Sequence, residues 1–123
     1  MKNIELRVIV ESPYKGDDLE GNLDYARRCM FHSLQLGESP FLSHLLYTQV
    51  LDDNVPEDRE MGLMLARSWY EVADMCAVYT DRGISDGMKQ GMEYAQYVGL
   101  PVEERCLNES ETDFTTSYKA GWR

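Results

Sequence analysis

Residues 75–85 read Met-Cys-Ala-Val-Tyr-Thr-Asp-Arg-Gly-Ile-Ser, and they give the clearest indication of the fold. The first five form a compact apolar run, which is typical of a buried strand in a parallel sheet. A glycine turn follows, and Ser85 is a good N-cap for a helix. Apolar residues then recur at helical spacing, namely Met88, Met92, Ala95 and Val98. The stretch therefore predicts one strand–loop–helix unit of an α/β protein.

The same order of elements repeats on both sides of this unit. Further strands are predicted at residues 4–10, 40–47 and 102–107, with a helix in each interval. Strands that alternate with helices imply right-handed crossovers. The sequence thus predicts a three-layer, Rossmann-like α/β fold with a mainly parallel sheet of four to five strands. We expect one domain at residues 1–107 and a polar C-terminal tail at residues 108–123.

The apolar pattern also predicts which residues are buried. The first helix carries an apolar face and ends at Gly37, and the second begins at Pro56. The predicted buried face of the second helix consists of Met61, Leu65, Trp69 and Val72. The predicted centre of the sheet consists of Val8, Ile9, Cys76, Ala77 and Val78.

The chain is strongly acidic, with 22 acidic residues against 12 basic ones and a formal net charge of -10. Such a surface repels nucleic-acid phosphates and anionic lipids, which argues against nucleic-acid and membrane partners. Charges near the N-terminus precede any long apolar stretch, unlike a signal peptide. The three cysteines lack metal or redox spacing and fit a reducing compartment. We therefore expect a cytoplasmic protein without a metal or a cofactor.

Two features of the sequence favour self-association. A chain of 123 residues buries a smaller share of its surface than a larger one does. In the tail, Phe114, Tyr118 and Trp122 are spaced four residues apart, as on one side of a short helix. We expect a homo-oligomer, a dimer or larger, with the tail packed on a neighbouring subunit. A loosely ordered terminus is the alternative for the tail.

Ligands of parallel sheets bind beyond the carboxyl ends of the strands, and this rule selects three loops. The loops offer a hydroxyl, two phenols, an imidazole, an arginine, and glycines at a helix start whose free N–H groups attract anions. Their candidate ligand-binding residues are Ser12, Pro13, Tyr14, His44, Tyr47, Asp81, Arg82, Gly83, Ser85, Gly87 and Met88. We expect one cavity to be lined by Ser12, Tyr14, His44, Asp81, Arg82, Ser85 and Met88.

Several short motifs resemble the nucleoside 2-deoxyribosyltransferase-like family. They are Ser12-Pro13-Tyr14 after a strand, Asn22 and Tyr25-Ala26 on the next helix, and residues 73–79 (ADMCAVY), 83–88 (GISDGM), 93–95 (EYA) and 99–102 (GLPV). The resemblance covers most of residues 4–107 and looks closest to small members often carried by bacterial viruses. The wider group includes nucleotide-sensing Rossmann-like domains and deoxynucleotide N-glycosidases. The resemblance implies a nucleotide-like small molecule as partner and adds Asn22 to the candidate ligand-binding residues.

The resemblance also implies where a catalytic nucleophile should lie. Enzymes of the family cleave an N-glycosidic bond with a helical glutamate, four residues after a glycine, that attacks the anomeric carbon. That glycine matches Gly87, so the glutamate position falls on Gly91, which has no side chain. The nearest glutamate, Glu93, lies about 200° further round the helix and should point away. The loop aspartate of the family falls on Ser85, with Asp86 beside it.

The residues leave the function open between two main interpretations. The first is a binding protein with the pocket of the family but not its nucleophile, which senses or sequesters a nucleotide-derived molecule such as a nucleotide immune signal. The alternative is an N-glycosidase or deoxyribosyltransferase acting on nucleosides or deoxynucleotides through a relocated carboxylate, from Glu11, Asp81 or Asp86. No catalytic residue is assigned, and Asp86 and Glu93 are the nearest candidates. A structural module without a ligand is a third interpretation.

Overall fold

The computed structural model describes residues 6–107, and a four-stranded parallel sheet forms the centre of the molecule. Its strands are β1 (Arg7–Glu11), β2 (Ser39–Phe41), β3 (Met75–Tyr79) and β4 (Val102–Arg105). All three neighbouring pairs are parallel, and the strands lie in the order β2-β1-β3-β4. The predicted Rossmann-like α/β fold is confirmed, with the lower of the two expected strand numbers.

Helices connect the strands and cover both faces of the sheet. They are α1 (Leu19–Gln35), the short α2 (Ser43–Leu46), α3 (Pro56–Tyr70) and α4 (Asp86–Tyr97). One apolar cluster joins the sheet to α1, and a second joins it to α3 and α4. From β1, the chain first adds β2 on one side of β1 and then adds β3 on the other side. The direction in which strands are added therefore reverses at β1. In open α/β sheets, the ligand crevice lies at such a reversal.

The centre of the sheet is buried as predicted. Val8, Ile9, Cys76, Ala77 and Val78 are each at most 4% exposed. Val8 and Ala77 pack toward α1, whereas Ile9, Cys76 and Val78 pack toward α3 and α4. Because successive strand residues point to opposite faces, each strand contributes to both clusters.

The start of α4 also follows the prediction. The Ser85 Oγ accepts a hydrogen bond from the backbone N–H of Met88 at 3.2 Å, which makes Ser85 the N-cap. Gly83 has a φ of +87°, in the left-handed region where a side chain would be strained. The backbone N–H of Gly83 donates to the carbonyl of Thr80 at 2.9 Å and closes the turn. The first turn of α4 is thereby placed beside the carboxyl end of β3.

The predicted strand at residues 40–47 is wrong beyond its first residues. Only Ser39–Phe41 pairs with β1, and the chain then turns into α2 and one turn of 3-10 helix at Tyr47–Gln49. Leu42 and Leu45 lie one helical turn apart and pack into the cluster under α1. Their spacing is helical, and the continuous apolar run concealed it.

The predicted buried face of the second long helix is wrong as well. Within α3, the buried residues are Ala66 and Tyr70. The four residues predicted to be buried are between 43 and 55% exposed: Met61, Leu65, Trp69 and Val72. Two stripes of residues compete for the sheet along this helix. The stripe that carries Ala66 and Tyr70 packs inward, and both residues line the cavity beside the sheet.

The remaining predictions of the fold concern the C-terminal part of the chain. The last strand is present but shorter than predicted, since it ends at Arg105. The tail at residues 108–123, with its three aromatic residues Phe114, Tyr118 and Trp122, lies outside the described residues. Among residues 6–107, no helix is long and apolar enough to cross a membrane.

Candidate functional site

A cavity of about 460 Å³ opens at the carboxyl ends of β1 and β2, beside the first turn of α4. Its volume is in the range usual for small-molecule sites. The candidate residues that line it are Ser12, Tyr14, His44, Tyr47, Ser85, Asp86, Gly87 and Met88. His44 and Ser85 therefore lie at the same end of the sheet, as one shared cavity requires.

Ser12 and His44 form a polar pair in the wall of this cavity. Ser12 follows the last residue of β1, and His44 lies in α2. The Ser12 Oγ and the His44 Nε2 are 2.7 Å apart. Burial lowers the pKa of His44 to about 4, so its imidazole is neutral at pH 7. A neutral imidazole has one donor and one acceptor, so the pair can bind a polar ligand edge without adding a charge.

A second polar pair joins β1 to α3. Glu11 lies two residues after Ile9 on β1, so its side chain points to the same face of the sheet, toward α3 and α4. The Tyr70 hydroxyl donates a hydrogen bond to the Glu11 carboxyl. Burial raises the pKa of Glu11 to about 7, while the bond from Tyr70 lowers it. Both residues line the cavity, so a carboxyl group that titrates near neutral pH faces the ligand space.

The Glu11 carboxyl occupies the space beside Gly91 of α4. A Cβ atom added at Gly91 would overlap that carboxyl and would lie 2.9 Å from the Tyr70 hydroxyl oxygen. Any residue other than glycine would force the Glu11–Tyr70 pair to move. Glu93 is exposed and lies outside the cavity lining, in agreement with the helical rotation expected from the sequence.

Five candidate ligand-binding residues do not line the cavity: Pro13, Asn22, Asp81, Arg82 and Gly83. The Asp81 carboxylate accepts a hydrogen bond from the Tyr25 hydroxyl at 2.6 Å and another from the backbone N–H of Leu107 at 3.0 Å. Asp81 therefore joins α1 to the segment that follows β4. Its direction is set by these bonds, which explains why it does not reach the cavity.

Arg82 and Asn22 also have partners elsewhere. Arg82 forms an ion pair with Asp18 at 2.9 Å on the surface. The Asn22 Nδ2 donates to the carbonyl of Tyr14 at 3.0 Å. Asn22 therefore stabilises the loop after β1 without lining the cavity. The expectation that Asp81 and Arg82 reach the same cavity as His44 is therefore wrong.

Sequence reasoning missed Tyr70 and three cationic residues that line the cavity, namely Lys15, Arg59 and Arg67. The Lys15 Nζ and the Arg59 Nη1 lie 3.3 Å and 2.9 Å from one carboxylate oxygen of Asp53. Lys15 and Asp53 also border a shallower groove of about 580 Å³ that continues from the cavity, whereas Arg59 lines only the cavity. Had the sequence pattern identified the buried face of α3 correctly, it would have predicted that Arg59 and Tyr70 face the cavity.

The cysteines of the described part are free thiols, two buried and one exposed. Within residues 6–107, no group of three His, Cys, Asp or Glu residues is arranged to hold a metal ion. That the protein works without a metal or a cofactor stays a prediction from the sequence.

A family model described as "Domain of unknown function (DUF7768)" matches residues 6–105. The chain belongs to the DUF7768 family. The match spans the whole sheet and every element that lines the cavity. No curated protein matches this DUF7768 chain in sequence.

A solved 2-deoxyribosyltransferase from the psychrotolerant bacterium Bacillus psychrosaccharolyticus is similar in structure. The two share a TM-score of 0.59 at 15% identity, over 90% of this DUF7768 chain and 81% of that one. At this identity the likeness shows that the two chains share a fold, and no more than that. That enzyme is described as a biocatalyst for the synthesis of antiviral and antitumoral nucleosides.

Proposed function

We propose that this chain binds a nucleoside or a nucleotide-derived small molecule in the cavity beside α4. The observation that carries the proposal is the Ser12–His44 pair, which gives a neutral hydrogen-bonding edge to a cavity also walled by Tyr47 and Met88. Such a wall suits a heterocyclic base, which has flat apolar faces and a rim of donors and acceptors. The likeness in fold to a deoxyribosyltransferase supports the same class of ligand.

Two cationic residues of the cavity lining, Lys15 and Arg59, extend the proposed site. Lys15 and Arg59 share the carboxylate of Asp53, so two positive groups are held together at the mouth of the cavity. A phosphate that displaced Asp53 would keep a contact with each of them, and a guanidinium binds phosphate in a forked geometry. In a phosphorylated ligand, the phosphate would lie here and the base near Ser12 and His44.

In this proposal, the chain is a cytoplasmic protein that senses or sequesters its ligand. The resemblance to small proteins carried by bacterial viruses supports a nucleotide immune signal as the molecule that is sequestered. Native mass spectrometry of the purified protein would identify a retained ligand directly by its mass.

A second candidate function is cleavage of the N-glycosidic bond. The observation that favours it is the Glu11 carboxyl, which lies in the cavity where Gly91 lacks a side chain. Glu11 is one of the relocated carboxylates that the sequence leaves open. The same cavity would serve both functions, since cleavage requires that the ligand is bound first.

His44→Ala should weaken ligand binding about tenfold or more, because the ligand loses a hydrogen bond and the buried Ser12 hydroxyl loses its partner. Calorimetry with a panel of nucleosides, deoxynucleotides and cyclic nucleotides measures the affinity. His32→Ala is the matched control, because His32 lies in α1 and its Nδ1 is 2.8 Å from the Tyr79 hydroxyl. Equal affinities of the wild type and His44→Ala, or a panel without a binder, would contradict the proposal.

We also propose that the chain forms homo-oligomers through the exposed apolar face of α3. Met61, Leu65 and Trp69 are each more than 40% exposed there, and apolar patches of this kind mark interaction sites. Leu65→Asp should therefore convert the oligomer into a monomer, as measured by light scattering at micromolar concentration. Leu34→Asp, on the exposed side of α1, is the control. A monomeric wild type would contradict this part of the proposal.

A further inference from the structure

The Glu11 carboxyl and the missing side chain at Gly91 belong to one arrangement. In the enzymes that the sequence resembles, the nucleophilic glutamate comes from the helix, at the position that matches Gly91. Here a carboxyl group arrives from the end of β1 instead, bonded to Tyr70. A side chain at position 91 and the Glu11 carboxyl exclude each other, because they require the same space. The cavity thus has a carboxyl group beside position 91, and this group comes from β1 and not from α4.

We propose that Glu11 is the general base of an N-glycoside hydrolase and removes a proton from a water molecule that attacks the anomeric carbon of a bound nucleoside or nucleotide. This inference rests on the proposed function, because it requires the ligand in the same cavity. It differs from covalent catalysis, since the oxygen of water, and not an oxygen of the protein, forms the new bond to the sugar.

The position of the carboxyl favours the role of base over that of nucleophile. It lies where the Cβ of a residue at position 91 would be, and not where the far end of a glutamate side chain from that position would reach. For a ligand placed within reach of a glutamate at position 91, the Glu11 carboxyl would be set back from the anomeric carbon by most of the length of a glutamate side chain. A gap of this kind leaves room for a water molecule, which distinguishes single displacement from direct attack by a carboxylate in glycosidases.

The reaction balances with water as the only co-reactant. The oxygen of water forms a bond to the anomeric carbon while the bond from that carbon to the base nitrogen breaks. The electron pair of the broken bond goes to the nitrogen, which takes up a proton from solvent. Glu11 accepts one proton from the attacking water and returns it to solvent. The products are the free base and the sugar.

The surroundings of Glu11 suit a base that works near neutral pH. Burial raises the pKa of the carboxyl to about 7, and the hydrogen bond from Tyr70 lowers it. The buried Cys76 thiol of β3 interacts with the Glu11 carboxyl. The titratable and charged residues that share the cavity lining with Glu11 are Tyr14, Lys15, His44, Tyr47, Asp53, Asp58, Arg59, Arg67, Tyr70 and Asp86. The rate of base release should rise with pH through about 7, as the carboxylate form becomes populated. Tyr70→Phe should move this rise to higher pH, which assigns Tyr70 as a positioning residue.

Base release from the nucleoside and nucleotide panel, followed by chromatography, tests the inference. Glu11→Gln should lower the rate at least about 100-fold, because an amide keeps the shape but cannot accept the proton. Ligand affinity should stay within about threefold, since the amide still fills the same space. Glu93→Gln, exposed and outside the cavity lining, is the matched control and should leave the rate unchanged. Gly91→Ala should also lower the rate, because its Cβ displaces the carboxyl.

A double variant separates a carboxylate that takes part in the reaction from one that only supports the fold. Glu11→Ala removes the carboxyl, the group closest to a side chain at position 91, and leaves the Tyr70 hydroxyl, 2.9 Å from that Cβ, without its acceptor and able to turn aside. Gly91→Glu in that background then supplies a carboxylate from the helix. The double variant should regain base release relative to Glu11→Ala alone. It should also transfer the sugar to an added second base, which the wild type should not do.

The outcomes distinguish this inference from the proposed function. Binding without base release by the wild type overturns the inference and leaves the proposed function standing, whereas an absence of binding overturns both. Transfer to a second base by the wild type contradicts the role of base, because transfer with retention requires a covalent intermediate. An unchanged rate in Glu11→Gln, with folding checked by thermal unfolding, would overturn the inference as well.

Discussion

Arg105→Ala should lower the free energy of unfolding by about 3–5 kcal/mol. The Arg105 guanidinium, from the end of β4, contacts both carboxylate oxygens of Glu38, at 2.7 Å and 3.0 Å. It also donates to the Tyr79 hydroxyl at 3.0 Å. Both side chains of the ion pair are less than one-tenth exposed, at 7% and 9%. Truncation would leave the Glu38 carboxylate buried without its counter-ion, and this isolated charge accounts for most of the loss.

Urea denaturation of the wild type and the variant measures this loss. Arg82→Ala is the matched control, because Arg82 forms a more exposed ion pair with Asp18 at 2.9 Å. Exposed pairs of that kind contribute only about 0–1 kcal/mol. If Arg105→Ala and Arg82→Ala unfold at the same urea concentration, the buried ion pair does not hold β4 to the start of β2.

Glu11→Gln should raise the free energy of unfolding by on the order of 3 kcal/mol at pH 8 and by less than about 1 kcal/mol at pH 5. The pKa of Glu11 is about 7 in the folded chain, against an ordinary value of 4.5. The folded state therefore binds this proton more tightly than the unfolded state does. The contribution of Glu11 to stability is full below pH 4.5 and is lost as the pH rises through 7. A glutamine has no charge to bury at either pH.

His44 titrates in the opposite sense within the same cavity. Its pKa is about 4 in the folded chain against an ordinary value of 6.5, so its contribution to stability is present above pH 6.5 and is lost as the pH falls through 4. Between pH 4.5 and pH 6.5, Glu11 makes stability fall as the pH rises, whereas His44 makes it rise. Glu11→Gln should therefore reveal a stability that rises from pH 4.5 to 6.5. Glu93→Gln should follow the wild type, and an equal effect of Glu11→Gln at pH 5 and pH 8 would contradict the titration.

The order of strands and helices could be predicted because buried parallel strands leave continuous apolar runs, as at Met75–Tyr79. The end of such a run is harder to predict. Leu42 and Leu45 belong to a helical turn, and only their spacing distinguishes them from strand residues. For α3, two stripes of residues compete for the sheet, and the packing that selects Ala66 and Tyr70 depends on the strands below and not on the helix itself.

Part of the candidate site could be predicted for the same kind of reason. The strand-end rule found Ser12, His44 and Ser85, whose places follow directly from the ends of strands and the start of a helix. It failed for Asp81 and Arg82, because the turn after β3 directs them to partners in and before α1. Long-range side-chain hydrogen bonds to Tyr25 and Asp18, and not the ends of elements, decide these directions.

The Glu11–Tyr70 pair shows the limit of local patterns. Because side chains alternate between the two faces along β1, the sequence could have predicted that Glu11 lies on the α3 side of the sheet. Its partner is 59 residues away in the sequence, on a helix whose inner face the apolar pattern did not identify. The reason for a glycine at position 91 becomes clear only when β1, α3 and α4 are seen together.

The central place of β1 has a consequence for biogenesis. Ile9 pairs with β2 on one side and with β3 on the other, although β1 is translated before both. On the ribosome, one edge of this apolar strand stays open until residues 75–79 have been made. Open strand edges on nascent polypeptides recruit one another and lead to aggregation. Acidic residues already outnumber basic ones within residues 1–79, which gives neighbouring nascent chains a mutual repulsion during that interval.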